Sequence, residues 1–180
     1  MANRRFRKTE EAILEVVCKE DYYIGTDIMA KKAGIARSTF YLHHKTAKHI
    51  LPDHENYLMR KYSRMVTKLL KNNRLCTRVL FMDTLIFMVQ NKKIFTMLIH
   101  NDRTTIFGAM LEKMKAKLIK TMELREESDK IFVVYSGEIT TLICEWAKNG
   151  MDVEKIEELL DDIMFLTETA GKRLRAIEKN

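Results

Sequence analysis

Proline occurs once in 180 residues and glycine six times. So few turn formers over such a length exclude a many-stranded β protein, a tightly turned solenoid and a disordered chain. Cysteine occurs three times, at Cys18, Cys76 and Cys144, with no CxxC or Cys/His spacing. Neither a disulfide framework nor a thiolate metal site is expected, and reduced thiols point to a cytoplasmic protein. No apolar run approaches the ~18 residues that a membrane span requires, so no membrane partner is expected. The basic start has no apolar stretch after it, so no signal peptide is expected either. GxSxG, a P-loop, GxGxxG and HExxH are all missing, and the scattered carboxylates do not pair into an acid/base site. An enzyme is therefore not expected, and no cofactor is implied.

What is present is helical periodicity and positive charge. Hydrophobic residues make up 46% of the chain and charged residues 32%, with a net charge of +7. The charge is uneven: net +4 over residues 1–50, +7 over 51–127 and −4 over 128–180. A basic front and an acidic end suggest a polyanion-facing region and a C-terminal region with another task, although lysine-rich solvated helix faces give the same balance. Ala12, Ile13, Val16, Val17 and Glu20 fit a first helix from about Thr9, with Glu10 and Glu11 in its acidic first turn. A short helix follows from Thr26 through Ala33, then another from Arg37 to His43. Pro52 opens a longer one that stops at Asn72-Asn73. Arg74 to Gln90 is apolar on several sides and reads as a nearly enclosed helix. Further helices are expected over Lys93 to His100, from Asp102 or Thr104 to about Leu124, over Asp129 to Lys148 with Ser128 as cap, and from Asp152 to the end.

The segment from Thr26 to Tyr41 reads as a helix-turn-helix over about residues 25–44. Met29 and Ala33 give the first helix an apolar face, and Ala30 is small where the helices touch. Gly34 supplies the turn, Ile35 follows it, and Phe40 is the apolar back of the second helix. The front of that helix offers Arg37, Ser38, Thr39 and Tyr41, groups suited to base edges and phosphates in a major groove. Thr26, at the start of the supporting helix, is placed for a phosphate contact. An αα-hairpin without a ligand uses the same glycine turn.

Ala33-Gly34-Ile35, then Ser38-Thr39-Phe40-Tyr41, His43 and the basic residues after it resemble the signature of the TetR family of transcriptional regulators over about residues 8–55. Trp146 followed by Lys148-Asn149-Gly150-Met151-Asp152 resembles a helix end common in the family's C-terminal domain. The resemblance implies an all-α protein of about nine helices. An N-terminal three-helix helix-turn-helix domain (1–50) would be followed by a helical ligand-binding and dimerisation domain (51–180). It implies a homodimeric repressor that binds a palindromic operator in double-stranded DNA. Tyr41 and His43 would lie toward the DNA backbone, and Arg37, Ser38 and Thr39 toward base edges. Three positions depart from the pattern. Ala36 replaces a capping Ser, and His44 replaces a core Phe. Ala47 replaces a phosphate-gripping Lys, whose role passes to Lys48, with Lys45 two residues before. These departures motivate an alternative, an interaction protein (coactivator or adaptor) on the same fold that has lost operator binding.

Arg4, Arg5, Arg7 and Lys8 read as a basic arm before the first helix, a phosphate or minor-groove contact or else a solubilising terminus. His43, His44, His49 and His54 have no i,i+4 pair that would put two imidazoles on one helix face. They are expected at the surface or at the groove edge, with no metal. Twelve methionines, several of them beside phenylalanines in the middle helices, suit an adaptable apolar pocket or a plain core. The resemblance implies the pocket, lined by Phe81, Met82, Leu85, Met88, Phe107, Met110, Met114 and Trp146, for a small apolar or amphipathic effector. A dimer seam is expected on the last two helices, through Ser136, Gly137 and Thr140 on one and Ile156, Leu160, Ile163, Thr167 and Ala170 on the other. The same seam packed within one subunit is the other arrangement.

Overall fold

The computed structural model describes the backbone of residues 2–19, 24–71, 77–122 and 128–177. It describes side chains over the same ranges except at 2–7, 70, 116–122, 128–134, 171 and 173–177. The described residues form an all-α architecture without strands, as the periodicity and scarcity of turn formers predict. Nine α-helices are described: α1 (Ala2–Lys19), α2 (Thr26–Lys32), α3 (Arg37–His43), α4 (Ile50–Lys71), α5 (Thr77–Gln90), α6 (Lys92–His100), α7 (Thr105–Met122), α8 (Ser128–Lys148) and α9 (Ile156–Ile177). Short 3-10 turns at Ala47–His49 and Val153–Lys155 lead into α4 and α9. No described helix is long and apolar enough to cross a membrane.

Element ends follow local chemistry. Gly34 has φ +66°, and the N–H groups of Gly34 and Ile35 donate to the carbonyls of Lys31 and Ala30 at 3.1 and 3.0 Å. These paired bonds close α2 as a Schellman motif, which the left-handed residue makes possible. Gly150, at φ +96°, ends α8 in the same way. Asp152 caps the 3-10 turn ahead of α9 rather than α9 itself, its Oδ1 accepting from the Glu154 N–H at 3.0 Å. The backbone of the expected basic arm, residues 4–8, is part of α1. Arg and Lys are good helix formers, and no Gly or Pro interrupts the run. Thr9 therefore lies inside the helix rather than at its start. Glu20, Asn72 to Cys76 and Leu124 fall outside the described residues, as do the side chains of Arg4, Arg5, Arg7 and Ser128.

Two compact units divide the chain. The first is Met1–Leu58 with Lys93–Arg103; the second is Met59–Lys92 with Thr104–Asn180. This differs from an expected boundary between residues 50 and 51. The division falls inside α4, and most of α6 belongs to the first unit, where Arg103 Nη1 donates to Glu55 Oε2 at 3.4 Å. In the first unit α1 buries Ile13, Leu14, Val16 and Val17, and Met29, Phe40, Ile50, Leu51 and Leu58 are also buried. In the second unit α8 packs along α9, α7 along α8 and α5 along α9. Its buried residues are almost wholly apolar. The enclosed Tyr62 hydroxyl meets Thr84 Oγ1 at 3.1 Å, and Thr84 in turn donates to the Leu80 carbonyl. Helix α5 is less enclosed than its composition suggests. Leu80, Phe81, Thr84, Leu85, Phe87 and Met88 are buried, whereas Val79 and Ile86, seven residues apart on one face, are exposed.

Candidate nucleic-acid interface

The α2–turn–α3 hairpin is built as the sequence predicts. Met29 and Ala30 of α2 and Phe40 of α3 are buried, Gly34 makes the turn, and α2 packs on α3. The start of α3 has no side-chain cap, because Ala36 has no oxygen to offer the first N–H groups. Burying Phe40 turns Arg37, Ser38, Tyr41 and Leu42 outward and leaves Thr39 half-buried. Arg37 is held on two sides. Its Nε lies 2.9 Å from Asp27 Oδ1 on α2, and its Nη2 donates to the Tyr41 hydroxyl at 3.3 Å, with the guanidinium 5.6 Å from that ring's centre. Lys45 and Lys48 are exposed after α3. The half-buried Thr26 accepts from the Ala47 N–H at 3.2 Å, so its hydroxyl ties the start of α2 to the 3-10 turn. Leu42, 80% exposed, is an apolar side chain that sequence reading did not single out. Its signal is local: it follows Tyr41 on the helix and sits off the Phe40 face.

Behind this surface lies a polar cluster that the histidine spacing does not reveal. His44 and His54 are buried, and the His43 side chain is only 4% exposed, so these three are not surface histidines. All three converge on Glu10 of α1. His43 Nδ1 bonds Glu10 Oε1. His44 Nε2 and His54 Nε2 each lie 3.3 Å from Glu10 Oε2. His44 Nδ1 lies 2.9 Å from Asp53 Oδ2, and His54 Nδ1 lies 2.8 Å from the Ile50 carbonyl. Burial raises the Glu10 pKa, but the bonds from His44, His54 and His43 outweigh it and hold the carboxyl well below the usual carboxylate range. Burial likewise lowers the pKa of His44, and the bonds to Glu10 and Asp53 overcome it and raise the value. His43, expected on the DNA backbone, is therefore turned toward α1. His49, the fourth histidine, is exposed and pairs with Thr46. No local pattern marks Glu10 as the partner, since it stands 33 residues before His43. The usable signal is His44 at a position where an apolar side chain is expected.

The remaining candidate residues lie in the second unit. Phe81, Leu85 and Met88 on α5, Phe107, Met110 and Met114 on α7, and Trp146 on α8 are buried, and Met82 is half-buried. Trp146 Nε1 donates to the Asp152 carbonyl at 2.9 Å, which fixes the α8–α9 connection. In the first unit a groove of about 340 Å3 is lined by Ala12, Glu15, Val16, Lys19, Lys32 and Ala33, none of them among the expected pocket residues. Of the residues expected in a dimer seam, Ile156, Leu160 and Ile163 are buried within the single chain, where α9 packs along both α5 and α8. Ser136, Thr140, Thr167 and Ala170 are half-buried and Gly137 is exposed, while among the described side chains of α9 Phe165 is a large apolar one that is exposed, at 71%.

No protein-family model matches the chain, and neither curated proteins nor solved structures provide a match.

Proposed function

We propose that this protein is a DNA-binding transcriptional regulator of the TetR type, a cytoplasmic homodimer that represses from a palindromic operator and responds to a small ligand. The observation that carries the reading is the α2–turn–α3 hairpin, with its buried Phe40 and its outward Arg37, Ser38 and Tyr41. A helix so mounted presents short polar groups and one guanidinium to a major groove. Leu42 adds an apolar contact of the kind that a thymine methyl accepts. Lys45 and Lys48 supply exposed cations for phosphates, and the positive balance of the first 127 residues favours the approach of a polyanion. Dimerisation through α8 and α9 would use Phe165 and the Gly137 region rather than the buried isoleucines. An apolar or amphipathic effector would act among the methionine- and phenylalanine-rich helices α5 and α7.

The direct test is binding of the full chain to DNA flanking its own gene, against random DNA of equal length, at two salt concentrations. Preferential binding with two chains per site is expected, and equal affinity for both DNAs overturns the operator reading. The second reading, an adaptor without operator binding, is favoured by Leu42 and by the Asp27 carboxylate that occupies Arg37. A folded chain with no DNA preference is its expected outcome. The effector is tested by apolar and amphipathic compounds, which should raise the melting temperature and lower DNA affinity together.

A further inference from the structure

The Glu10–His44–His54 cluster has a hydrogen-bond pattern that fixes which atoms face inward. The Ile50 carbonyl can only accept, so His54 Nδ1 carries a proton and donates to it. The Asp53 carboxylate likewise accepts, so His44 Nδ1 carries a proton as well. Each imidazole therefore directs its other nitrogen, Nε2, at one oxygen, Glu10 Oε2. Three such atoms facing one another need positive charge among them, either protons on the Nε2 atoms, which then donate to Glu10, or one shared metal ion that displaces those protons. A carboxylate or a backbone carbonyl on the outer nitrogen is also the arrangement that orients metal-binding histidines.

We propose that Glu10, His44 and His54 form a binding site for one divalent first-row transition ion of the zinc class, with Asp53, the Ile50 carbonyl and His43 holding the ligands in position. Distances support the assignment. Both Nε2 to Oε2 separations are 3.3 Å, and all three ligand atoms lie within 4.8 Å of one another. A tetrahedral ion with bonds of about 2.0–2.2 Å sets its ligand atoms about 3.3–3.6 Å apart. Two imidazoles and one carboxylate suit zinc and its neighbours, rather than magnesium or calcium, which want oxygen alone, or copper(I), which wants sulfur. Three protein ligands leave a fourth position for water. The ligands come from α1, from His44 just after α3 and from the first half of α4, so the ion would pin these three segments of the first unit together. Phe40, whose ring centre lies 5.9 Å from that of His44, gives the site an apolar wall. The inference stands apart from the DNA-binding reading, and the failure of either leaves the other intact.

The test uses the full chain, stripped by a chelator and shown to be helical by circular dichroism. Zn2+ is titrated against a chromogenic indicator, and Co2+ is followed by its visible absorption. One ion per chain is expected, with a cobalt spectrum of a four-coordinate nitrogen–oxygen site and a rise in melting temperature. Glu10→Gln and His54→Gln should each abolish uptake, Asp53→Asn should weaken it about 10–100-fold, and His49→Gln should leave it unchanged. Nitrogen NMR of the wild type provides the readout that needs no variant: on adding Zn2+, Nε2 of both His44 and His54 should shift while both Nδ1 sites keep their protons. Failure of the folded wild type to take up either ion overturns the site and leaves the inner nitrogens to protons. Uptake that survives both Glu10→Gln and His54→Gln, or that moves neither Nε2, overturns it equally.

Discussion

The first unit and the second bury their helices by different means. In the second, α5, α7, α8 and α9 bury Leu80, Phe107, Met110, Ile143, Leu160 and Ile163, and among the described residues the buried polar groups are few: the Tyr62–Thr84 hydroxyl pair and Asn91. In the first, α1, the end of α3 and the start of α4 share an apolar core that also holds Glu10, His43, His44 and His54. An apolar core is stabilised by area removed from water and tolerates much exchange of shape. A buried charged cluster is stable only while each member keeps its partners, so it is sensitive to whatever removes one of them. The unit that carries the candidate DNA surface is thus the one whose core can respond to protons or metal.

The largest effects should come from crossing the two chemistries. Ile163→Glu places a lone carboxylate in the apolar core of the second unit, a cost of roughly 4 kcal/mol or more. Circular dichroism should show loss of helix or a steep fall in the urea midpoint. Phe165→Glu, two residues on but exposed, should stay folded and, if α9 forms the dimer face, sediment as a monomer. In the first unit, Glu10→Ala leaves three histidines without their shared carboxylate and should destabilise the chelated protein by about 3–5 kcal/mol, read by urea unfolding. A Glu10→Ala protein as stable as the wild type would remove the contrast between the units.

A smaller separation is expected from pH, again in chelated protein. The depressed Glu10 carboxyl contributes stability that is complete above its ordinary value and is lost only in strong acid. His44 has the opposite sign. Its raised value means a contribution that is full below the ordinary 6.5 and is lost as pH climbs through the folded value. Tyr62 of the second unit is pushed up to about 12 by burial, so its contribution starts to fall only above the ordinary 10.0. From 6.5 upward toward 10.0 the first unit should therefore weaken before the second, as hydrogen exchange resolved by unit can show. Parallel loss in both units would mean that the histidine cluster does not control the first.

How much of this was legible in the sequence follows from the same contrast. The helices were legible because their stabilising faces repeat at a fixed period. Gly34 and Gly150 were legible because a left-handed residue is costly for most other side chains. Periodicity says that a stripe is apolar, not what covers it, so Ile156, Leu160 and Ile163 read as a dimer seam with intrachain packing as the alternative, and they are buried within the chain, where α9 packs on α5 and α8. The histidine cluster was not legible because its geometry depends on how α1 docks beside α3 and α4, and spacing within 43–54 carries no trace of Glu10. The Asp27–Arg37 pair likewise joins two helices across the turn.

DNA-contact variants should sharpen the comparison without touching stability. Thr39→Ala and Tyr41→Phe alter half-buried or exposed polar groups and should leave the melting temperature nearly unchanged. If Thr39 meets bases, its loss should depend on the operator sequence. If Tyr41 meets phosphate, its loss should be similar on operator and random DNA. Tyr41→Phe also removes one of the two holds on Arg37, so it should cost more than a single phosphate contact. Equal losses from both variants on both DNAs would remove the assignment.

The smallest effects are expected from two surface arginines held by carboxylates, one in each unit. Arg37 pairs with Asp27 at 2.9 Å, and Arg78 on α5 bridges Glu157 and Asp161 of α9 at 2.8 and 2.6 Å. Exposed pairs gain little over their hydration and are screened by salt, so neither Asp27→Asn nor Arg78→Gln should move the melting temperature appreciably. Their functional readouts should part. Asp27→Asn removes a negative charge beside the candidate DNA surface and frees the Arg37 guanidinium. Affinity for DNA should rise modestly, and its dependence on salt should steepen by about one ion. Arg78→Gln, in the apolar unit, should leave DNA binding as it was. A large fall in stability on Arg78→Gln would show that the α5–α9 contact rests on its charges more than on Leu160 and Ile163. Unchanged DNA binding on Asp27→Asn would place Arg37 outside the interface.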